Sequence, residues 1–222
     1  MIRKKAGENM KDFPVFTTEY GVASLILKEI PYRGIAFVTI QDVQEGKLSE
    51  HLAECVGFCR MAGAERVLAK GHEALKEYPL HSIVYKMSIV PEPREPEACL
   101  WPVTEKTVGK WREIYNNGMR SIDNHSTMTA RDEKTIVNSG GAYFVHKDGE
   151  LLGIGWMEGN ELLALVSVVP GMGETVARTL FTAVDADRVI LTVVSTNARA
   201  IRLYERMGFI KVGEVSRWYR VL

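Results

Sequence analysis

The stretch "NARAIRLYERMGF", Asn197 to Phe209, decides how this chain is read. Asn197 is a strong N-cap, because its side-chain oxygen can accept from an amide that the first helical turn leaves without a partner. Ala200, Leu203, Tyr204 and Met207 fall at i, i+3, i+4 and i+7 and form one apolar stripe. Gly208 suits a left-handed C′ position, and Phe209 supplies the apolar contact that follows it. A plain amphipathic helix accounts for all of this except the phenol in the stripe, since a buried tyrosine hydroxyl needs a partner.

Outward from that helix, the C-terminal half alternates its elements. A helix is expected from Thr104 to about Asn117, with Val108, Trp111 and Tyr115 on one face. Thr129-Ala-Arg-Asp132 resembles a capping box and opens a second helix ending near Gly140. "AYFVHK" and "LLGIGWM" read as strands joined by the hairpin turn Asp148-Gly149. Gly159-Asn160 turns into "ELLALVSVV", apolar enough to be central in its sheet. A helix follows from about Gly173, with Val176, Leu180 and Val184 inward, then the strand "RVILTVV", the opening helix and a last strand, "SRWYRVL". The fold class is α/β (α+β), a mixed, mostly antiparallel sheet with flanking helices.

Val90 to Ala98, "VPEPREPEA", carries three prolines among charges and interrupts both helix and ladder. It divides the chain into a module over 1–90, a linker over 91–97 and a domain over 98–222. The first module reads strand ("VASLILKEI"), strand ("IAFVTI"), helix (Leu48 to Met61) and strand ("RVLA"). That order echoes the C-terminal half, and "AERVLA" from Ala64 aligns with "ADRVIL" from Ala186. Both an internal duplication with a degenerate first copy and a chance match fit these residues.

Composition bounds the function. The chain has 222 residues, 46% hydrophobic and 25% charged, with 28 basic against 28 acidic side chains. Zero formal charge argues against nucleic-acid or membrane-surface partners. No apolar run follows the basic start, and none nears the roughly 20 residues that span a bilayer, so a cytoplasmic protein is expected. Cys55 and Cys59 sit at i and i+4 among leucines and read as core, Cys99 is left without a pair, and the five histidines lack metal-ligand spacing. No metal is expected.

The loop "VVPGMGETVARTL", Val168 to Leu180, joins a buried strand to a helix N-terminus, where unpaired amides and the helix dipole favour an anion such as a phosphate. Gly171 and Gly173 permit close approach to the backbone. It lacks the Gly-Lys-Ser/Thr of a Walker loop, and Val176 occupies the third glycine of a dinucleotide fingerprint.

Together the Val-x-Pro entry at Val168 and Pro170, the glycine loop, and the pattern Asn197, Ala200, Tyr204, Gly208, Phe209 resemble the GNAT superfamily of acyl-CoA-dependent N-acyltransferases, over roughly residues 98–222. The chain departs from that family's Arg/Gln-Gly-x-Gly-x-Gly/Ala at Met172 and Thr175, and its loop is one residue short after Pro170. The resemblance implies acetyl-CoA as co-substrate and direct attack on its thioester by a primary amine of a small molecule or peptide. It implies Tyr204 as general acid for the departing thiolate and the Val168 backbone amide as oxyanion donor; a phenol near pKa 10 facing a thiol near 8.5 means Tyr204 acts mainly by hydrogen bonding the developing charge. It places coenzyme contacts at Val168, Gly171, Met172, Gly173, Glu174, Thr175, Val176, Ala177, Asn197, Ala200 and Tyr204. Glu174 adds a negative charge beside the diphosphate, opposing it by on the order of 1 kcal/mol. Glu158 and Glu161, at the hairpin entering the central strand, read first as solvated turn residues and second as candidate general bases acting through water; His125 comes after them as a candidate. The altered glycine loop also admits a non-catalytic acyl-CoA-binding or sensing module.

Overall fold

The computed structural model describes residues 14–92, 95–123 and 125–222, which form two compact units. One is Val84–Val215; the other is residues 14–83 with Ser216–Leu222. The proline-rich stretch does not separate them. It ends one strand at Ile89 and leads to the next at Cys99, both inside the first unit, because prolines that stop a ladder need not stop a domain.

In the smaller unit β1 (Val15–Thr17), β2 (Gly21–Ile26) and β3 (Ile35–Val43) pair antiparallel in succession, with a short helix α1 (Ile30–Arg33) before β3. The helix α2 (Leu48–Met61) then crosses over to β4 (Arg66–Lys70), which pairs parallel to β3 from Ile35↔Arg66 to Thr39↔Lys70. The chain's last residues close the sheet, with Tyr219 opposite Ala69. Val38, Val67 and Ala69 pack against Leu52, Cys55 and Cys59 of α2. Burial pushes the Cys55 thiol up to about 12 and the Cys59 thiol to about 11, so both are neutral packing groups. His51, fully buried on the same helix, bonds Thr18 Oγ1 at 2.8 Å, and burial holds its pKa below the ordinary value.

The larger unit holds the quoted helix. Its strands are β5 (Leu80–Ile89, from Val84 on), β6 (Cys99–Pro102), β7 (Ala142–Lys147), β8 (Glu150–Glu158), β9 (Glu161–Ser167), β10 (Val189–Val194) and the first part of β11 (Ile210–Arg220). They lie in the order β5-β10-β9-β8-β7-β6. Every neighbouring pair is antiparallel except β9 with β10. Asp148 and Gly149 both take positive φ, 51° and 82°, as the two-residue β7–β8 turn requires. The helix α3 (Val108–Met119) starts later than the sequence suggests, because Thr104–Thr107 forms a hydrogen-bonded turn ahead of it. Thr129 and Asp132 do form a capping box, on a 3-10 turn that runs into α4 (Glu133–Ser139).

Helices α3 and α4 cover one sheet face, burying Trp111, Tyr115 and Ile136 against Ile154, Trp156 and Val166. On the other face α5 (Gly173–Phe181) and α6 (Ala198–Met207) bury Val176, Leu180 and Met207 against Leu152, Leu162 and Leu191. Close approach of α5 depends on Gly155 of β8, where an added Cβ would overlap the side chain of fully buried Leu180. Gly155→Ala is therefore expected to destabilise the protein by about 1–3 kcal/mol, read as a lower thermal midpoint, since Leu180 has no room to turn away.

Candidate active site

The site grows from an irregularity in β9. Trp156 pairs with Ala164 but Met157 pairs with Leu162, so Leu163 is an extra residue, a β-bulge. The bulge reverses the alternation. Leu162 belongs to the α5–α6 core while Leu163 and Ala164 both turn to the α3 side and Leu165 returns to the α5–α6 side. Just past it the parallel pairing with β10 stops. Only Ile190↔Glu161 and Leu191↔Leu162 are in register, although β9 continues to Ser167 and β10 to Val194. The two strands diverge and leave backbone groups facing a wedge between them.

The bulge also decides which amides face that wedge. The Val168 amide donates to the Leu152 carbonyl at 2.9 Å, towards β8, so it is not the oxyanion donor expected from the sequence. Ladder amides alternate in direction, so Val166 also faces β8 while Leu165 and Ser167 present theirs to the β10 side. Those two replace Val168 as candidate donors. Val168 contributes only a side chain, 43% exposed, beside the loop.

At the wide end of the wedge the chain turns through Pro170 to Met172 into α5. Gly171 has φ 87° and open space where a Cβ would stand. Met172 caps α5 without a side-chain hydrogen bond, and the first intrahelical acceptance beyond it is Val176 N–H to Met172 O at 2.9 Å. The amides of Gly171, Gly173, Glu174 and Thr175 therefore find no acceptor among the described residues, and they stand at the positive end of the helix dipole. Two expected contacts drop out, because Val176 and Ala177 are fully buried in the core and the Val176 amide is already bonded. Gly173 has a packing role besides, since its Cβ would lie 3.0 Å from Leu203 Cδ2 of α6. Glu174 is not a bare negative charge: Arg178, one turn on, holds its Oε1 through Nη2 at 2.8 Å and through Nε at 2.8 Å.

Helix α6 begins as its sequence dictates. Asn197 Oδ1 accepts from the Ala200 amide at 3.1 Å, and Gly208 closes the helix at φ 97°. Ala200 and Leu203 pack at the edge of the core, and the Tyr204 ring lies within it, 5.4 Å from Phe209. The ring is 8% exposed. Its hydroxyl has no hydrogen-bond partner among the described residues, yet the oxygen is not sealed off with the buried unsatisfied atoms. Burial pushes the phenol up to about 12, so it is a neutral donor at any physiological pH.

Glu158 and Glu161 fall outside this arrangement. They face one another across the β8–β9 turn at the paired end of β9, and Glu161 is separated from Leu165 by four extended residues, about 13 Å. That exceeds the reach of a carboxylate acting through one water. His125 lies on the α3 side, its Nδ1 donating to the Ile122 carbonyl at 2.7 Å and its ring 6.2 Å from Tyr115.

A bulged strand diverging from its parallel neighbour, with an unpaired amide cluster at the wide end, defines an α/β fold built around an open strand pair. No protein-family model matches the chain, and no curated protein matches its sequence. Solved structures do match. A GCN5-related N-acetyltransferase from Anabaena variabilis aligns with 96% of this chain and 63% of its own, at 12% identity and a TM-score of 0.58. A conserved protein of unknown function from Staphylococcus epidermidis aligns over 94% and 93%, at 9% identity and 0.57. A GCN5-related N-acetyltransferase from Sphaerobacter thermophilus aligns over 90% and 75%, at 14% and 0.52. The chain has the GNAT fold, in agreement with the resemblance carried by the Asn197 to Phe209 helix.

Proposed function

We propose that this protein is an acyl-CoA-dependent N-acyltransferase, with acetyl-CoA as donor and a primary amine of a small molecule or peptide as acceptor. The observation that carries the reading is a pair of features on successive elements: four amides at the wide end of the β9–β10 wedge, and a phenol on the helix that follows β10, all without partners among the described residues. The diphosphate would take the amides of Gly171, Gly173, Glu174 and Thr175, and the pantetheine arm would run into the wedge as a surrogate strand partner. A neutral amine then attacks the thioester carbonyl carbon. The C–N bond forms, the carbonyl oxygen gains charge against the Leu165 or Ser167 amide, and the C–S bond breaks with the sulfur's charge met by the Tyr204 hydroxyl, while the nitrogen's surplus proton passes to solvent water, from which the departed thiolate is protonated. Transfer of that proton to a thiolate of ordinary pKa near 8.5 is uphill by roughly 3.5 units, about 5 kcal/mol, so Tyr204 acts by donating a hydrogen bond.

The test is release of free coenzyme A from acetyl-CoA by the full chain with a panel of amines, alongside calorimetric titration of the coenzyme. Amine-dependent release supports the enzyme. Binding without release by any amine would replace it with an acyl-CoA-binding module, and no binding would overturn the coenzyme site itself.

A further inference from the structure

The glycine loop carries no basic side chain: Met172 stands where the resemblance leads one to expect Arg or Gln, and Arg178 is held by Glu174. Positive charge is available nearby, on α6. Arg199, Arg202 and Arg206 are exposed and lie at i, i+3 and i+7, one stripe, and none has an acidic partner among the described residues. The acid on that helix, Glu205, is engaged by Lys211 at 3.2 Å.

The stripe works against the stability of its own helix. Arg199 is in the first turn of α6, where the dipole disfavours a cation, and that turn holds no acid. Arg199 and Arg202 are like charges three apart, which repel. Neither placement helps the helix form.

Their position relative to α5 suggests their use. β9 and β10 are parallel and each is followed by a returning helix, so α5 and α6 run parallel and begin at the same end of the sheet. Gly173, the first residue of α5, abuts Leu203, the sixth of α6. The first turn of α6 therefore projects past the start of α5. Arg199 precedes Leu203 by four residues and shares its face, about 6 Å nearer the helix start, which puts it beside the four unpartnered amides. Arg206 lies on the other side of Leu203, along the body of α5.

Building on the coenzyme reading above, we infer that Arg199 and Arg202 form a second anion subsite that takes the 3′-phosphate of the coenzyme's ribose while the loop amides hold the diphosphate. A phosphate monoester carries about −1.5 to −2 charges at neutral pH, and two unpaired guanidinium groups suit it where a shortened loop lacks a cation of its own.

The experiment compares coenzyme A with 3′-dephospho-coenzyme A by calorimetry on the full chain, for the native protein, the Arg199→Gln/Arg202→Gln double variant and Arg206→Gln. The native protein is expected to bind coenzyme A at least tenfold more tightly, and the double variant to bring the two ligands within about threefold. Arg206→Gln should retain the preference. Thermal midpoints of the double variant should hold or rise, since it relieves repulsion. Equal native affinities for the two ligands, or a preference that survives in the double variant, would overturn the subsite and leave the coenzyme reading standing. Failure of both ligands to bind would overturn both.

Discussion

Tyr204→Phe is expected to lower kcat for acyl transfer about 10²-fold and to leave the coenzyme KM within about twofold. On the proposed mechanism the variant removes one donor aimed at charge that exists only as the C–S bond breaks, so the loss should fall on the transition state and spare binding. Folding should survive, because the hydroxyl has no partner to lose among the described residues and the ring's contact with Phe209 is kept. The alkaline side gives a second readout. A folded pKa of about 12 lies above the unfolded value near 10, so the associated stability is complete below pH 10 and is lost as pH rises towards 12. Over that window the native protein should lose about 3 kcal/mol relative to Tyr204→Phe, and its kcat should show no limb from phenol ionisation below about pH 11. An unchanged kcat in the variant would remove the phenol from the chemistry, and a limb near pH 10 would contradict its burial.

What could be read from the sequence tracks what is local. The N-cap at Asn197, the stripe through Tyr204 and the left-handed Gly208 are set by neighbours a few residues away, and the structure holds each in the expected role. The same is true of the Asp148-Gly149 turn and of α2, whose bounds match Leu48 to Met61. Which amides of β9 face away from β8 was not legible, because it turns on one extra residue, Leu163, that a period-two pattern of apolar side chains in "ELLALVS" conceals. Glu158 and Glu161 misled for the opposite reason. They are close in sequence to the central strand, but an extended strand carries its far end away at about 3.3 Å per residue. β5 went unread between Pro79 and the proline run, since its value lies in pairing with β10 about a hundred residues later.

The likeness between the two halves illustrates how a shared element order can part from a shared site. In the smaller unit β3 and β4 stay in parallel register over five residue pairs, and Gly71 lets the chain pass so close to Ile40 that a Cβ there would overlap the Ile40 carbonyl. That strand pair stays in register as far as β4 runs. In the larger unit the register ends after two pairs. Both middle strands carry a one-residue bulge, Leu163 in β9 and Gln41 in β3, so the early end of the parallel register in the larger unit, and not a bulge alone, distinguishes the two sheets.

A pair of substitutions at one residue should move coenzyme affinity in opposite directions. Glu174→Pro removes the second amide of α5 and is expected to weaken coenzyme A binding about 10- to 100-fold, the range of one charge-assisted hydrogen bond. The fold should tolerate it: that amide has no acceptor among the described residues, the first turn accepts proline, and the preceding residue, Gly173, has no Cβ to clash with the ring. Glu174→Gln keeps the amide and removes only the charge. It also frees the Arg178 guanidinium, now tied to Glu174 at 2.8 Å, so binding should tighten by a fewfold, and less so at high salt. Charge loss is common to both variants, so the gap between them isolates the amide. If the proline variant bound as tightly as the glutamine variant, the start of α5 would not be where the diphosphate rests, and the wedge would have to take its ligand from another direction.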